Sequence, residues 1–315
     1  MTRPTVSFLC SSYNHAQFLT RALDGMLQQT WSADEVIVIE DCSTDHTREI
    51  LENYAARHPQ LRVIYNDKNQ GVLKNMRTLI SLASTDYICW TSSDDYLLPD
   101  FLDQVMSAIA RHPGVGLGAC EQAYFSTHHS VPVPLRELLP SAGFARFGEY
   151  LSPADVVCAY GRDHLWLATN ATVIRRESIS ALGGYRPSQH AMIDVFMMYA
   201  VAFRDGIALV PKGLAAYRLA TGSFSGGIKQ KSRGYYYYLL KRFFACAHKP
   251  KLQFLEKAFH KAPLLAFSFG KEIVFFFATS PRYFLTFINL VFACLFHPKM
   301  IWNVLQFKRK LRIFF

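Results

Sequence analysis

Two adjacent carboxylates, Asp94 and Asp95, follow a short apolar run, Tyr87–Trp90, and a polar break, Thr91-Ser92-Ser93; Pro99 then leads into the next helix. An apolar run of that length, bounded by turn residues, reads as a buried strand. Neighbouring Asp residues at the end of a buried strand repel each other and lose hydration, so something must compensate them. A hard divalent cation held by carboxylate oxygens would do so, and all-oxygen ligation suits magnesium or manganese. The competing reading is a loop that caps the next helix, where Asp is common.

The elements around this pair alternate. Thr5–Ser11 reads as a strand, and Ala16–Gln29 as a helix with Phe18, Leu19, Ala22, Leu23, Met26 and Leu27 at helical spacing. Glu35–Glu40 is a second strand, after which Ser43 is placed to cap a helix reaching Ala56. Leu61–Tyr65, Tyr87–Trp90 and Val115–Ala123 are further strands, with helices over Val72–Leu82 and Phe101–Ala110 between them. Strands alternating with helices predict an α/β fold with a mostly parallel central sheet flanked by helices. Ligands bind such sheets beyond the carboxyl ends of the strands. Ser11-Ser12-Tyr13-Asn14, Asp41–Asp45 and Ser92–Asp95 would all lie along that edge.

The alternation weakens after Tyr124. Residues 126–163 hold several Pro and Gly and the pair His128-His129, and read as an irregular, partly helical insertion. That pair has no spaced partners of the kind a metal site needs. Trp166–Arg175 reads as a strand, Gly183-Gly184-Tyr185 as a turn, Asp194–Phe203 as a helix, and Leu209–Leu219 as containing a strand after Pro211.

Charge divides the chain in two. Residues 1–228 hold 18 Lys and Arg against 22 acidic residues, whereas residues 229–315 hold 16 against only Glu256 and Glu272. A mildly acidic body, 1–228, thus precedes a basic and aromatic region, 229–315, whose balance of +14 calls for an anionic partner. So many Phe and Leu favour a lipid surface over nucleic acid. The longest uncharged run there, Tyr283–Pro298, has 16 residues, and a membrane span needs about 20. The expectation is a helical extension lying in an anionic membrane interface; a helical lid folded onto the sheet is the other reading. Seven Cys, an odd number with no C-x-x-C pair, argue against a disulfide framework or zinc site and for a reducing compartment. The N-terminal residues lack the h-region of a signal peptide.

At Ser11-Ser12-Tyr13-Asn14, EVIVIEDCSTDHT and SSDDYLLPD, the chain resembles the family 2 glycosyltransferases of the GT-A fold. The resemblance runs from about Thr5 to about Gly226, and includes Asn170–Arg176 ahead of GGYRP and the segment VPKGLAAYRLATGSFS. It implies a nucleotide-sugar donor site formed by Ser11, Tyr13, Asp41, Lys74, Asp94 and Arg218. Asp41 suits the imide N–H of uracil or thymine, or else is a helix cap. Tyr13 would pack on the base or belong to the core. Lys74, in the Asn69-Gln70-Gly71 loop region with Asn75, would reach ribose or phosphate or remain solvated. Arg218 would contact phosphate or be structural.

Asp94 and Asp95 would hold Mn2+ or Mg2+ against the diphosphate. Asp194 matches the position of the family's general base for inverting transfer; its alternative is an N-cap. Three positions depart from the family pattern: Ser92 where many relatives have Asp, Ile193 where they have Glu, and Ala220 where they have His. The implied activity is transfer from a uridine or thymidine diphosphate sugar to a saccharide acceptor, lipid-linked, at the cytoplasmic face of a membrane in surface polysaccharide assembly. Two alternatives stand beside it. A nucleotidyltransferase is disfavoured by the absence of Gly in Ser11–His15. An inactive, membrane-bound saccharide-binding protein would account for the three departures.

Overall fold

The computed structural model describes residues 3–126, 131–134, 143–162, 165–185, 193–219, 252–262, 277–278 and 281–296. The alternating runs of the first third become β1 (Val6–Ser12), α1 (Ala16–Leu27), β2 (Glu35–Glu40), α2 (Thr47–Ala55), β3 (Leu61–Tyr65), α3 (Val72–Leu82) and β4 (Tyr87–Ser92). These strands lie in the order β3-β2-β1-β4, all parallel. β1 carries apolar side chains on both faces because helices cover both sides of the sheet.

The second part comprises β5 (Tyr96–Leu97), α4 (Phe101–Arg111), β6 (Leu117–Phe125), β7 (Val133–Pro134), β8 (Tyr150–Leu151), α5 (Pro153–Arg162), β9 (Thr172–Arg175), α6 (Arg176–Ala181), α7 (Ile193–Asp205) and β10 (Ile207–Arg218). The sheet continues from β4 through β9, β6 and β10 to β5. β6 and β10 are parallel to each other, but β9 runs against both of its neighbours, β4 and β6, and β5 runs against β10. The sheet is therefore mixed, more so than simple alternation predicts.

Three local expectations are corrected. Ser43 does not cap α2: its hydroxyl accepts the Asn14 N–H at 3.0 Å, and the carboxylate at the start of α2 is Asp45, which accepts the Thr47 N–H at 3.0 Å. Trp166–Arg175 is not one strand; a 3-10 turn, Thr169–Ala171, precedes the short β9. The last strand does not begin after Pro211 but runs through it, and its register on β6 shifts between Val210 and Ala215. Proline has no N–H to give the ladder, so an irregular stretch of pairing is where a strand tolerates it.

Helices α3, α5 and α7 cover one face of the sheet through Leu79, Tyr160, Phe196 and Met197. Helices α1, α2 and α4 cover the other through Leu19, Leu23, Leu51, Phe101 and Met106. Two later helices are described, α8 (Gln253–Lys261) and α9 (Phe284–Phe296). α8 packs on α5 and α7, and its Leu255 and Ala258 join the core of the α3 face. α9 packs on α8. Among the described residues, no helix is long and apolar enough to cross a membrane.

The strand that follows the acidic pair is positioned by a missing side chain. A Cβ on Gly25 of α1 would lie 2.8 Å from the Leu97 nitrogen and 2.9 Å from the Leu97 oxygen of β5. Backbone cannot yield as a flexible side chain does. Gly25→Ala should therefore cost about 1–3 kcal/mol in a denaturant titration, against the small gain an Ala gives in a free helix.

Candidate active site

β4 ends at Ser92, and the chain turns through Asp94 and Asp95 into β5. Both carboxylates are buried, at 8% and 5% exposure. Asp94 Oδ2 accepts from Arg218 Nη2 at 2.6 Å and Nε at 3.2 Å, an ion pair about nine-tenths buried on both sides. Ser92 Oγ donates to Asp94 Oδ1. Ser92 thus supplies a donor to Asp94 where an Asp would add a third negative charge. Asp95 Oδ1 accepts the Arg218 N–H at 2.8 Å, and Oδ2 accepts Asn170 Nδ2 at 2.9 Å. Burial, and then the charge of Asp94, push the Asp95 carboxyl well above the ordinary range, and those two donors pull it back. The compensation expected of a cation is here supplied by Arg218 and Asn170.

The donor set fits a hard cation. Each Asp95 oxygen uses one acceptor direction on the protein, and a carboxylate offers about four in all. Among the described residues there is no cluster of three or more His, Cys, Asp or Glu for a metal ion. One or two carboxylates completed by phosphate oxygens and water are the usual ligands of magnesium in phosphate-transfer sites.

Asp194 lies in the first turn of α7, half-buried. Its Oδ2 accepts the Thr169 hydroxyl at 3.2 Å. Loss of hydration raises its carboxyl, while the Val195 N–H and the Thr169 hydroxyl lower it, for a net upward shift. Consecutive residues of one 3-10 turn, Thr169 and Asn170, therefore touch Asp194 and Asp95 respectively. On the same side, the Trp90 indole N–H donates to the Tyr185 hydroxyl at 2.8 Å. Ala220 lies outside the described residues.

The other half of the site surrounds Asp41. Its Oδ1 accepts Asn66 Nδ2 at 2.8 Å and the Gln70 N–H at 2.7 Å, and its Oδ2 accepts the Gly71 N–H at 2.9 Å. Asp41 is not a helix cap; it holds the loop between β3 and α3. Asn66 also donates to Asn75 Oδ1 at 3.0 Å, and Asn75 Nδ2 donates to Ser11 Oγ at 2.9 Å. One network thus joins the ends of β1, β2 and β3 to the start of α3. Gly71 adopts φ +80°, which a side chain would strain. Tyr13 is 42% exposed beyond β1, so it is not a core tyrosine. Lys74 Nζ donates to Gln70 Oε1 at 2.6 Å on the surface.

Ser11 and Asp41 are thus joined in one network, and Asp94, Asp95, Arg218 and Asp194 are linked through Arg218 and the 169–170 turn. A cavity of about 210 Å³ opens beside the acidic pair, lined by Phe18, Arg21, Tyr96 and Arg218 among others. The Arg218 guanidinium sits 4.0 Å from the centre of the Phe18 ring. Asn66, Thr169 and Gln122 belong to these networks without having stood out in the sequence. Asn66 and Thr169 lie in turns next to strands, and Gln122, which donates to Asn170 at 2.7 Å, lies within β6, where nothing in the sequence marked it.

Among the described residues, a ten-stranded mixed sheet with a buried acidic pair after the fourth strand has the arrangement of a GT-A glycosyltransferase fold. Solved structures agree. S. aureus TarS 1-349 in complex with UDP-GlcNAc is 19% identical with a TM-score of 0.63, covering 91% of this chain and 79% of that one. The mannosyltransferase PcManGT from Pyrobaculum calidifontis, in complex with GDP-Man and Mn2+, is 18% identical with a TM-score of 0.56, covering 99% of this chain and 88% of that one. Residues 7–153, a little under half of the chain, match the pattern of glycosyl transferase family 2. An uncharacterised protein of Mycobacterium tuberculosis is 30% identical over 217 residues, 68% of this chain and 58% of that protein. The chondroitin synthase of Escherichia coli is 29% identical over 187 residues, 56% of this chain and 25% of that protein. The matched region therefore spans little more than half the length of the first relative and a quarter of the second.

The Asp41 network gives a direct test. Asp41→Asn keeps the shape but turns an amide group toward one of the three donors. Hydrogen exchange at the Gln70 and Gly71 amides should quicken about tenfold, the equivalent of about 1.4 kcal/mol lost from a charged hydrogen-bond acceptor. Unchanged protection would mean that the loop is held by other contacts.

Proposed function

We propose that this chain is an inverting, cation-dependent glycosyltransferase. It takes a sugar from a uridine or thymidine diphosphate donor and passes it to a lipid-linked saccharide in surface polysaccharide assembly. The observation that carries this reading is the single turn that holds Asp95 through Asn170 and Asp194 through Thr169. A carboxylate able to take a proton and a carboxylate pair able to hold a cation against a donor diphosphate are thereby parts of one edge. Relatives described as polysaccharide synthases and donor-bound structural neighbours support the same class of reaction.

In the proposed reaction Asp194 accepts the proton of the acceptor hydroxyl as its oxygen attacks the anomeric carbon. The bond from that carbon to the phosphate oxygen breaks on the opposite face, and the electron pair leaves with the nucleoside diphosphate. Arg218 lies beside that departing charge. Magnesium or manganese on Asp94 and Asp95 would supply further neutralisation of the diphosphate. Asp41, with the loop it orders, faces the base, and Tyr13 supplies an exposed ring to pack on it.

A screen of nucleotide sugars for hydrolysis and transfer, with and without manganese, tests the activity. Asp94→Asn and Asp95→Asn should each lower turnover at least a hundredfold, about 2.7 kcal/mol of barrier. Asp194→Asn should abolish transfer and leave donor affinity within a few-fold. Collapse of donor affinity with turnover of bound donor intact would move Asp194 out of the base role.

The same base dictates a pH dependence. Asp194 works only when ionised, so activity falls as pH falls through its carboxyl. Burial raises that carboxyl, so the acid limb of kcat/KM should lie above the ordinary Asp value of about 3.9. Thr169→Val removes a donor that favours the charged form. It should move that limb further up in pH. A limb that stays in place in Thr169→Val would detach Asp194 from it.

Attachment to the cytoplasmic face of an anionic membrane completes the proposal. α9 turns Leu290 and Thr286 inward and leaves Phe284, Leu285, Val291 and Phe292 at 41–60% exposure. These positions fall on one helix face by their spacing. Thirteen residues make a helix about 20 Å long, suited to lie in the interface and short of the 30 Å hydrocarbon core. The +14 balance of residues 229–315 matches anionic headgroups. Two further apolar stretches, Leu264–Phe269 and Ile273–Ala278, would bury there too; residues 264–269 and 273–276 of them lie outside the described residues. The full-length protein should float with anionic liposomes, and Phe284→Ser/Phe292→Ser should bind them at least tenfold more weakly. Full-length protein that stays unbound at low salt would refute the attachment.

A further inference from the structure

Asp95 is held by a chain of neutral side chains that runs away from the site. Asn170, 7% exposed, donates through Nδ2 to Asp95 Oδ2 at 2.9 Å and accepts through Oδ1 from Gln122 Nε2 at 2.7 Å. Gln122, 6% exposed, accepts through Oε1 from the Tyr124 hydroxyl at 2.8 Å and from the Trp166 indole at 3.4 Å. An amide can be turned over, exchanging its donor and acceptor ends, and a hydroxyl can rotate. An indole N–H can only donate. Trp166 gives its N–H to Gln122 Oε1 or to the Tyr124 hydroxyl, and a hydroxyl that accepts it has its own proton for Gln122; by either route Gln122 presents an oxygen on that side, which leaves it an NH2 for Asn170. That NH2 requires an oxygen from Asn170, which leaves Asn170 an NH2 for Asp95.

We infer that Gln122 and Asn170 are positioning residues, a one-way hydrogen-bond chain set by Trp166 that orients Asp95 to capture the cation. The inference rests on the proposed cation-dependent reaction and adds residues to it. The chain occupies one acceptor direction of Oδ2, and the Arg218 N–H occupies one of Oδ1. The carboxylate plane is thereby fixed with one direction on each oxygen left over. Neither Gln122 nor Asn170 needs to touch the cation for this. Each acts through the orientation of the next group, and partners of this kind commonly change metal affinity 10–100-fold.

The variant that separates polarity from packing is Gln122→Glu. It keeps the shape and the acceptors for Trp166 and Tyr124 but offers Asn170 an oxygen. Asn170 then faces a carboxylate on either side with one NH2 end to give, so its hold on Asp95 is divided or lost. Gln122→Met removes the link without adding a carboxylate, and Asn170→Ala removes the last donor. The measurement is Mn2+ uptake by the full-length protein in the presence of UDP, followed by the paramagnetic resonance of free Mn2+. Folding is checked by circular dichroism and melting, and UDP affinity is measured without metal.

Wild-type protein is expected to bind Mn2+. Gln122→Glu is expected to bind at least tenfold more weakly, Gln122→Met to lose less, and UDP affinity without metal to stay within twofold. Should Gln122→Glu fail to fold, Asn170→Ala decides, with a loss of at least tenfold expected. Wild-type affinity in the variants, or equal losses in Gln122→Glu and Gln122→Met that track melting temperature, would overturn the inference alone. Wild-type protein that takes up no Mn2+ with UDP present would overturn the cation reading and the inference together.

Discussion

Asp94 and Asp95 are consecutive, buried and just beyond the end of β4. Two charges in that position are stable only with opposite charge or hydrogen-bond donors in contact. The protein meets that demand from far along the chain. Arg218 closes β10 and gives its guanidinium to Asp94 and its backbone N–H to Asp95, while Asn170 reaches Asp95 from the turn before β9. The positions of β9 and β10 in the sheet are therefore tied to the charge state of residues 75 and 124 positions earlier. Removing either partner would strand a buried carboxylate, which costs far more than an ordinary surface contact is worth.

The direction of β9 explains how Asn170 arrives there. In a parallel sheet, the polar residues that meet a ligand follow the strands. β9 runs against β4 and β6, so the residues that precede it come to that edge. Register confirms the geometry: Cys89 lies opposite Val173 and Tyr87 opposite Arg175, which sets the start of β9 toward the end of β4. Thr169 and Asn170 stand immediately ahead of that start. A parallel strand of the same length would have delivered Arg175 and Arg176 instead, and the acidic pair would have met a different chemistry.

This also accounts for what was legible in the sequence. The parallel half was plain, because each of β1 to β4 is an apolar run followed by a polar cluster. The clusters at Ser11, Asp41 and Asp94 are where alternation places them. β9 was not plain. It spans only Thr172–Arg175, and the apolar residues ahead of it extend the pattern of a strand into what is a 3-10 turn. Gln122 lies within the continuously buried β6, where a polar residue carries no periodic signal. Asn66 sits in a turn, where Asn is common for local reasons. Sequence spacing locates groups that follow regular elements; it does not report partners brought together by strand direction or by the polarity of an amide.

The carboxylates that follow strands on the parallel side, Asp41 on one hand and the pair Asp94 and Asp95 on the other, are prepared in opposite ways. Asp41 receives three donors from the loop between β3 and α3, two of them backbone N–H groups, so its role in the unliganded fold is to hold that loop. Asp94 receives the Arg218 guanidinium, and Asp95 receives an amide and one backbone N–H. Backbone donors on Asp41 cannot be withdrawn without moving the loop, whereas the Arg218 guanidinium can leave Asp94 by side-chain rotation alone. The Asp41 half is consequently rigid in design and the acidic half exchangeable. That division suits a site in which one end of a ligand is recognised by shape and the other end carries charge that changes during reaction, because fixed dipoles cost nothing to reorganise when they are already in place.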